Sequence, residues 1–186
     1  MQMDKGTLYR LAASYLGECC VKEDTAVYSA LNDVAQHAIG LTLDYTNWPF
    51  ALARVTLTPD ADGAYTLPAD CLEIRECSLS AYEVIGRKLY AKGFMERAEV
   101  TLTYKSSVLA DTLCLPDYEP FFCEGCALLL ASKAAPRITS NLKLAQGLEQ
   151  EAYDKLYRAK LKIVRSTASN DQMPETVTSG RRWRRG

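Results

Sequence analysis

The residues of this chain that could carry chemistry are seven cysteines, a single histidine and several pairs of carboxylates. Cys123 and Cys126 form a C-x-x-C pair. Structural zinc usually takes four ligands from two such pairs, and the sequence contains no second pair. The odd number of cysteines and their irregular spacing are not typical of a disulfide scaffold. We therefore expect reduced thiols, most of them buried as small apolar side chains, and no bound metal.

Few residues of this sequence are of the types and spacings that catalytic sites use. His37 is the only histidine and falls in the middle of a predicted helix, which leaves no histidine-centred triad. Motifs for phosphate loops, dinucleotide binding, zinc proteases and serine hydrolases are absent. Carboxylate pairs that could bind a cation or exchange protons are Asp60 with Asp62, Asp111 with Asp117, and Glu149 with Glu151 or Asp154. Turn or helix chemistry already explains each pair, so the sequence favours a protein that is not an enzyme and has no cofactor.

The most unusual charges lie at the C-terminus, where the last six residues read RRWRRG. The chain has 22 basic and 23 acidic residues and a net charge of −1, so without its four terminal arginines it carries −5. Nucleic-acid binding over the whole surface is disfavoured, because such binding depends on Lys and Arg that neutralise phosphates. Any contact with a polyanion is predicted for the tail.

Apolar residues recur at helical spacing in four segments, at about residues 4–16, 24–45, 117–135 and 140–165. Gly17 is expected to end the first helix and Pro136 the third. Asp24 or Thr25 is expected to cap the second helix, because its short polar side chain can accept from a free backbone N–H of the first turn.

Between the second and third helices the sequence alternates as strands do. The segments 54–58 and 64–67 flank a Pro-Asp-Ala-Asp-Gly turn, which predicts a hairpin. A further strand begins near residue 72, two more flank Gly86, and the last covers 99–105. The order of elements predicts an α+β fold: a four-helix bundle with a small antiparallel β domain inserted between helices 2 and 3.

The predicted organisation has four parts: an N-terminal helical pair at 1–50, the β domain at 51–105, a second helical pair at 106–165, and a tail at 166–186. We expect the tail to be flexible, because its polar composition cannot offset the entropy of ordering it. No apolar run is long enough to cross a bilayer, and charges near the N-terminus disfavour a secretory signal. No membrane contact is therefore expected.

One segment is similar to a known family. Residues 47–77, NWPFALARVTLTPDADGAYTLPADCLEIREC, resemble the tail tubular protein A family and related head-to-tail adaptors of tailed bacteriophages and gene transfer agents. In that family a helix ends in a tryptophan followed closely by Phe-Ala, and a Tyr-x-Leu-Pro-x-Asp turn comes after the next strand. The matching residues are Trp48, Phe50, Ala51, Tyr65, Leu67, Pro68 and Asp70. Weaker likeness in the helices extends over residues 5–165, and Pro49, inserted between Trp48 and Phe50, departs from the pattern.

The resemblance implies a structural virion protein in the neck between capsid and tail, made in the cytoplasm of a bacterial host. Its copies would form a ring, dodecameric in the family, below the portal protein ring. That ring would extend the channel through which genomic DNA passes without sequence-specific binding, and would hold a downstream tail or nozzle protein. The residues themselves first predict structural roles: core anchors for Trp48 and Phe50, and a strand end and turn for Tyr65, Leu67, Pro68 and Asp70.

The C-terminal segment is the candidate binding site. Arginines and tryptophan are enriched where interfaces are strongest, and arginine pairs with carboxylates and phosphates. The resemblance implies that this segment docks on the portal; DNA contact in the channel and a merely solubilising end stay open as alternatives. The residues concerned are Arg181, Arg182, Trp183, Arg184 and Arg185. The alternative function is a small nucleic-acid-binding module that acts through the same tail.

Overall fold

The computed structural model describes residues 2–19, 21–92 and 99–170, and the predicted α+β class is confirmed. The helices are α1 (Lys5–Tyr15), α2 (Ala26–Tyr45), α3 (Val108–Thr112), α4 (Pro120–Ile138) and α5 (Leu142–Asn170). The strands are β1 (Gln2–Met3), β2 (Leu52–Leu57), β3 (Tyr65–Thr66), β4 (Cys71–Cys77), β5 (Tyr82–Ile85), β6 (Lys88–Ala91), β7 (Val100–Ser106) and β8 (Leu115–Pro116). The short helix α3 and the β1–β8 pair were not predicted from the sequence.

Polar side chains begin the helices as the sequence indicates. The Asp4 carboxylate accepts a hydrogen bond from the Thr7 N–H at 2.7 Å, and the Thr25 hydroxyl accepts one from the Tyr28 N–H at 3.2 Å. These side chains satisfy backbone donors that have no partner inside the helix. Gly17 follows α1 with φ +79°, a left-handed conformation that glycine adopts without strain.

The helices pack as one bundle around α4, which contacts α1, α2 and α5. Because α4 is covered on three sides, it is apolar nearly all round, and its residues 126–131 are fully buried. Gly125 lets α5 approach closely: a Cβ built on this residue would lie 2.8 Å from Leu156 Cγ. The bundle core is therefore built on the α4–α5 contact.

The prediction that Pro136 ends the third helix is wrong, because α4 continues to Ile138. The proline lies in the last turn, where its missing N–H removes one hydrogen bond. Thr139 then closes the turn, since its backbone N–H and its hydroxyl both donate to the Ala135 carbonyl, at 2.8 and 2.9 Å. The predicted start at residue 117 is also too early, because α4 begins at Pro120.

The strands form two three-stranded antiparallel sheets, in the orders β2-β7-β4 and β3-β6-β5, beside the β1-β8 pair. The predicted hairpin of residues 54–58 with 64–67 is wrong, because β2 pairs with β7 and β3 with β6. The turn itself forms, with Asp60 accepting from the N–H groups of Asp62 and Ala64. The six-residue ladder between β2 and β7 holds more hydrogen bonds than the two-residue β3 could offer. The two strands predicted on either side of Gly86 are confirmed as β5 and β6, which pair with each other.

The β-strands enclose a second, smaller core. Val100, Leu102 and Tyr104 lie on the buried face of β7, as the alternation of that strand predicts. They pack with Tyr65 of β3 and with Leu67, which directly follows that strand. The molecule thus has one core in the bundle and one in the strands.

Candidate functional site

Trp48 and Phe50 lie in an aromatic cluster at the point where the chain leaves α2 for β2. Trp48 is only 1% exposed, and its indole N–H donates to the Thr42 carbonyl at 2.7 Å. It stacks on Phe50 with ring centroids 5.6 Å apart and meets the edge of Phe122 at 4.9 Å. The expected core role of both residues is confirmed by this packing.

The rest of the family-like segment is structural too, and Asp70 contacts a strand that is distant in sequence. Tyr65 and Leu67 are buried in the strand core. The Asp70 carboxylate accepts hydrogen bonds from hydroxyls of β7, from Ser106 at 2.6 Å and from Tyr104 at 3.1 Å. These bonds, with Ser106 first, lower the pKa of Asp70. Asp70 therefore holds the start of β4 against the end of β7.

Pro68 has a partner of its own. Its carbonyl accepts a hydrogen bond from the Arg87 guanidinium, in the turn between β5 and β6. This bond ties the turn before β4 to the other sheet. The segment that resembles the adaptor family thus joins the bundle to both sheets.

Three of the carboxylates considered for acid–base chemistry have partners in the structure. Asp60 pairs with Lys88 at 2.8 Å, and Glu149 with Lys133 at 2.7 Å. Asp111 accepts a hydrogen bond from Gln36 at 2.8 Å. Within residues 2–19, 21–92 and 99–170, no group of three or more His, Cys, Asp or Glu side chains could hold a metal ion.

The cysteines of the C-x-x-C pair are buried on α4, as expected. The Cys126 sulfur lies 3.3 Å from the Thr42 hydroxyl, and the Cys123 thiol donates to the Pro116 carbonyl at 3.2 Å. Burial raises the pKa of Cys123 to about 11 and raises that of Cys126 as well. The described cysteines are free thiols, so these two act as small core side chains.

A buried lysine lies between the bundle and the strands, and sequence reasoning missed it. The Lys105 side chain is 4% exposed and lies 3.4 Å from Glu73 and 3.6 Å from Asp44. Arg75 pairs with the same Glu73 at 2.9 Å and donates to Asn47. Asp44 is in the last turn of α2, and Asn47 lies just after the helix. These contacts therefore fix the β-strands to that end of the helix. The partners are too distant in sequence for local patterns to reveal them.

Several open concave surfaces remain. One, about 570 Å³, lies beside the aromatic cluster and is lined by Phe50 and Tyr118 among others. A second, about 380 Å³, lies between the two sheets, where Leu72 and Val84 are exposed. Leu72 is exposed because β4 is interrupted by shifts of register.

A third surface has a different character. It is a groove of about 380 Å³ between the start of α4 and the second half of α5. Phe121 and Leu161 form its apolar floor, and Arg158, Lys162 and Arg165 surround it. Lys162 pairs with Glu119 at 3.0 Å, whereas the two arginines form no ion pair with another residue that the structure describes.

Another surface, missed from the sequence, joins the end of α2 to the middle of α5. Tyr45 and Tyr153 are half-buried with ring centroids 5.9 Å apart, tilted by 33°. Tyr157, one turn further along α5, is 52% exposed. Burial raises the pKa of Tyr45, and the neighbouring Tyr157 and Asp154 add to that effect. We call Tyr45, Tyr153, Asp154 and Tyr157 the tyrosine surface; the Tyr-x-x-x-Tyr spacing on α5 was its sequence signal.

The predicted binding residues Arg181, Arg182, Trp183, Arg184 and Arg185 lie outside the described residues. Among the described helices, none is long and apolar enough to cross a bilayer. A scan against protein-family models finds no match for this chain. A search of curated proteins finds no match either.

Proposed function

We propose that this chain is a structural virion protein, a head-to-tail adaptor that forms a ring below the portal of a tailed phage or gene transfer agent. The ring extends the DNA channel and holds the next tail component. The observation that carries the proposal is the segment from Trp48 to Asp70, because several of its residues that match the adaptor pattern pack in the two hydrophobic cores. Trp48 and Phe50 join the bundle core, and Tyr65 and Leu67 join the strand core.

The order of the elements supports the same proposal. Two helices, a set of strands and two further helices follow one another, which is the architecture that the resemblance implies for an adaptor. Asp70 and Lys105 hold the strands to one another and to the end of α2. A building block of a ring needs such fixed geometry, since its neighbours contact several parts of its surface at once.

The exposed apolar side chains also suit a ring. Leu72, Val84 and Ile85 are exposed on the strands, at 51, 42 and 61%, while Tyr118 and Phe121 are exposed on the bundle. Two apolar surfaces on different parts of one molecule favour contacts in which unlike surfaces meet. Contacts of that kind generate rings when the rotation between copies closes. The C-terminal segment Arg181–Arg185 then docks on the portal ring above.

The direct test removes the gene from the phage or agent that encodes it and examines the particles by electron microscopy. We expect DNA-containing heads without tails, and normal tails when the gene is supplied in trans. Fully tailed particles in its absence would contradict the proposal.

A pair of substitutions tests the ring contacts themselves. Ile85→Glu should prevent ring formation while leaving the fold intact. Leu142→Glu changes an equally exposed position outside both apolar surfaces, and this variant should form rings normally.

A nucleic-acid-binding module is the second candidate, because the α4–α5 groove combines an exposed aromatic ring with cations. Phe121 could stack a base while Arg158 and Arg165 pair with phosphates. The test is binding of a single-stranded oligothymidylate across a series of salt concentrations. Binding that weakens with salt, with a slope reduced by about 1 for each arginine replaced by alanine, favours the module. No binding at low salt excludes it.

A further inference from the structure

The tyrosine surface is an aromatic surface that stays open to solvent in the described part of the bundle. Tyr157 is more than half exposed although it lies beside two half-buried aromatic rings. Asp154 is exposed and forms no ion pair with another residue that the structure describes. Asp44, next to Tyr45 in sequence, keeps 72% of its side chain exposed. The tyrosine rings and the Asp154 carboxylate therefore share one open surface.

We propose that the C-terminal segment Arg181–Arg185 of this chain docks on the tyrosine surface of the same molecule. The chemistry of the two partners is complementary. Guanidinium planes stack on tyrosine rings and pair with carboxylates through two parallel hydrogen bonds. The tail supplies four arginines around one tryptophan, and the surface supplies three rings with Asp154 between them in sequence.

The length of the chain allows this contact within one molecule. From Tyr157 to the end of α5 at Asn170 is about 20 Å, at the rise of an α-helix. Residues 171–180 connect that end to Arg181 and can span at most about 36 Å. The random-coil root-mean-square span for a chain of this length is about 18 Å, close to the distance required. A linker that matches the span gives the tail its highest effective concentration at the surface.

Charge favours the contact over the other surface of α5. The chain without its terminal arginines carries −5, and the segment itself +4. The α4–α5 groove is surrounded by Arg158, Lys162 and Arg165 and would repel the segment. Lys160 lies one turn beyond Tyr157 on α5, so its charge weakens docking on the tyrosine surface. Replacing it with an acid should strengthen docking.

The contact would cover the tail until a stronger partner competes for it. It does not depend on the proposed adaptor function, because it needs no partner ring. If the portal is that partner, the same arginines exchange one set of contacts for another, and the free protein keeps its cationic end from binding other polyanions. Loss of the intramolecular contact would therefore leave portal docking testable by itself.

The test measures quenching of Trp183 fluorescence by acrylamide in the full chain. Trp48 is 1% exposed and contributes a shielded signal, which a Trp183→Phe variant measures separately. We expect Trp183 in the wild-type protein at low salt to be quenched less than in a free peptide of residues 178–186. Tyr157→Ala should lower the ratio of docked to undocked tail about fivefold, the effect of one lost cation–π contact, and Lys160→Glu should raise it.

Tyr118→Ala is the matched control, because it removes another exposed tyrosine from a different surface, and it should leave quenching unchanged. Adding salt should expose Trp183, and diluting the protein should not. Protection that disappears on dilution would assign the surface to a second copy and overturn docking within one molecule. Equal quenching of wild type and free peptide at low salt would overturn the proposal altogether.

Discussion

Gly125→Ala tests the α4–α5 contact on which the bundle depends. The new Cβ would lie 2.8 Å from both Cγ and Cδ2 of Leu156 and 3.4 Å from the Ala152 carbonyl oxygen. Carbon atoms pack best about 3.5–4.0 Å apart, so the overlap with Leu156 is about 0.7 Å. Leu156 is fully buried and cannot swing outward. We therefore expect either a strained rotamer or a small separation of the helices.

Two effects of opposite sign decide the stability of this variant. Overpacking of a core costs about 1–3 kcal/mol, and replacing a glycine inside a helix by alanine gains about 1 kcal/mol. Because the overlap involves Cγ, a branch point close to the backbone, we expect the cost to be near the upper end and the variant to lose about 1–2 kcal/mol. Gly147→Ala on α5 has nothing within 4 Å of its new Cβ and should gain up to about 1 kcal/mol.

Urea unfolding followed by circular dichroism measures both variants. The difference between them isolates the overlap, about 2–3 kcal/mol, or very roughly 5–10 °C in melting temperature for a chain of this size. Adding Leu156→Ala to Gly125→Ala should cost less than the sum of the single changes, because the alanine removes both overlapping atoms. A Gly125→Ala protein as stable as Gly147→Ala would refute the close approach of the two helices.

Other predictions concern the motif residues, the thiols and the tail. Asp70→Ala should cost about 1–3 kcal/mol, because two buried hydroxyls lose their acceptor. Since the folded pKa of Asp70 is lowered, this contribution is present above the unfolded pKa near 4 and is lost as pH falls through the folded pKa, so unfolding curves of wild type and variant should converge in acid; a constant difference would contradict this. Trp48→Phe should cost about 1–3 kcal/mol through the lost hydrogen bond and volume, and a change under about 0.5 kcal/mol would exclude the buried indole. A thiol reagent followed by mass spectrometry should modify exposed Cys19 at once but Cys126 only on unfolding. Deleting residues 171–186 should leave unfolding unchanged within about 0.5 kcal/mol but abolish attachment to portal rings; retained attachment would remove the tail from the docking mechanism.

Local patterns were sufficient for most of the helices and for the strongest strand. Thr25 begins α2 because a hydroxyl there can accept a backbone N–H, which depends only on neighbouring residues. The buried face of β7 follows likewise from its alternation. Strand pairing, in contrast, depends on residues that are distant in sequence. The Asp60–Gly63 turn forms as its sequence predicts, yet the strands on either side join different sheets, because β7 offers β2 the longer ladder.

The surfaces were harder to predict than the cores. Lys105 looked like an ordinary polar end of a strand, and its burial depends on Asp44 and Glu73, which lie 61 and 32 residues away in sequence. The tyrosine surface needs Tyr45 and α5 to meet, and only tertiary packing brings them together. The tail residues were predicted from their composition and from the resemblance, and neither identifies the surface of this chain that could receive them.

The places taken by the motif residues determine which experiments can diagnose function. Trp48 packs on, and Asp70 is hydrogen-bonded to, segments that are distant in sequence. Replacing either residue would therefore alter the shape of the whole molecule. Failed assembly in such a variant would not distinguish a lost contact from a lost fold. Exposed positions such as Tyr157 and Ile85 do not have this ambiguity, because their side chains support little of either core. If the chain acts as a shaped component, substitutions at these exposed positions must change what it binds while its unfolding curve stays the same.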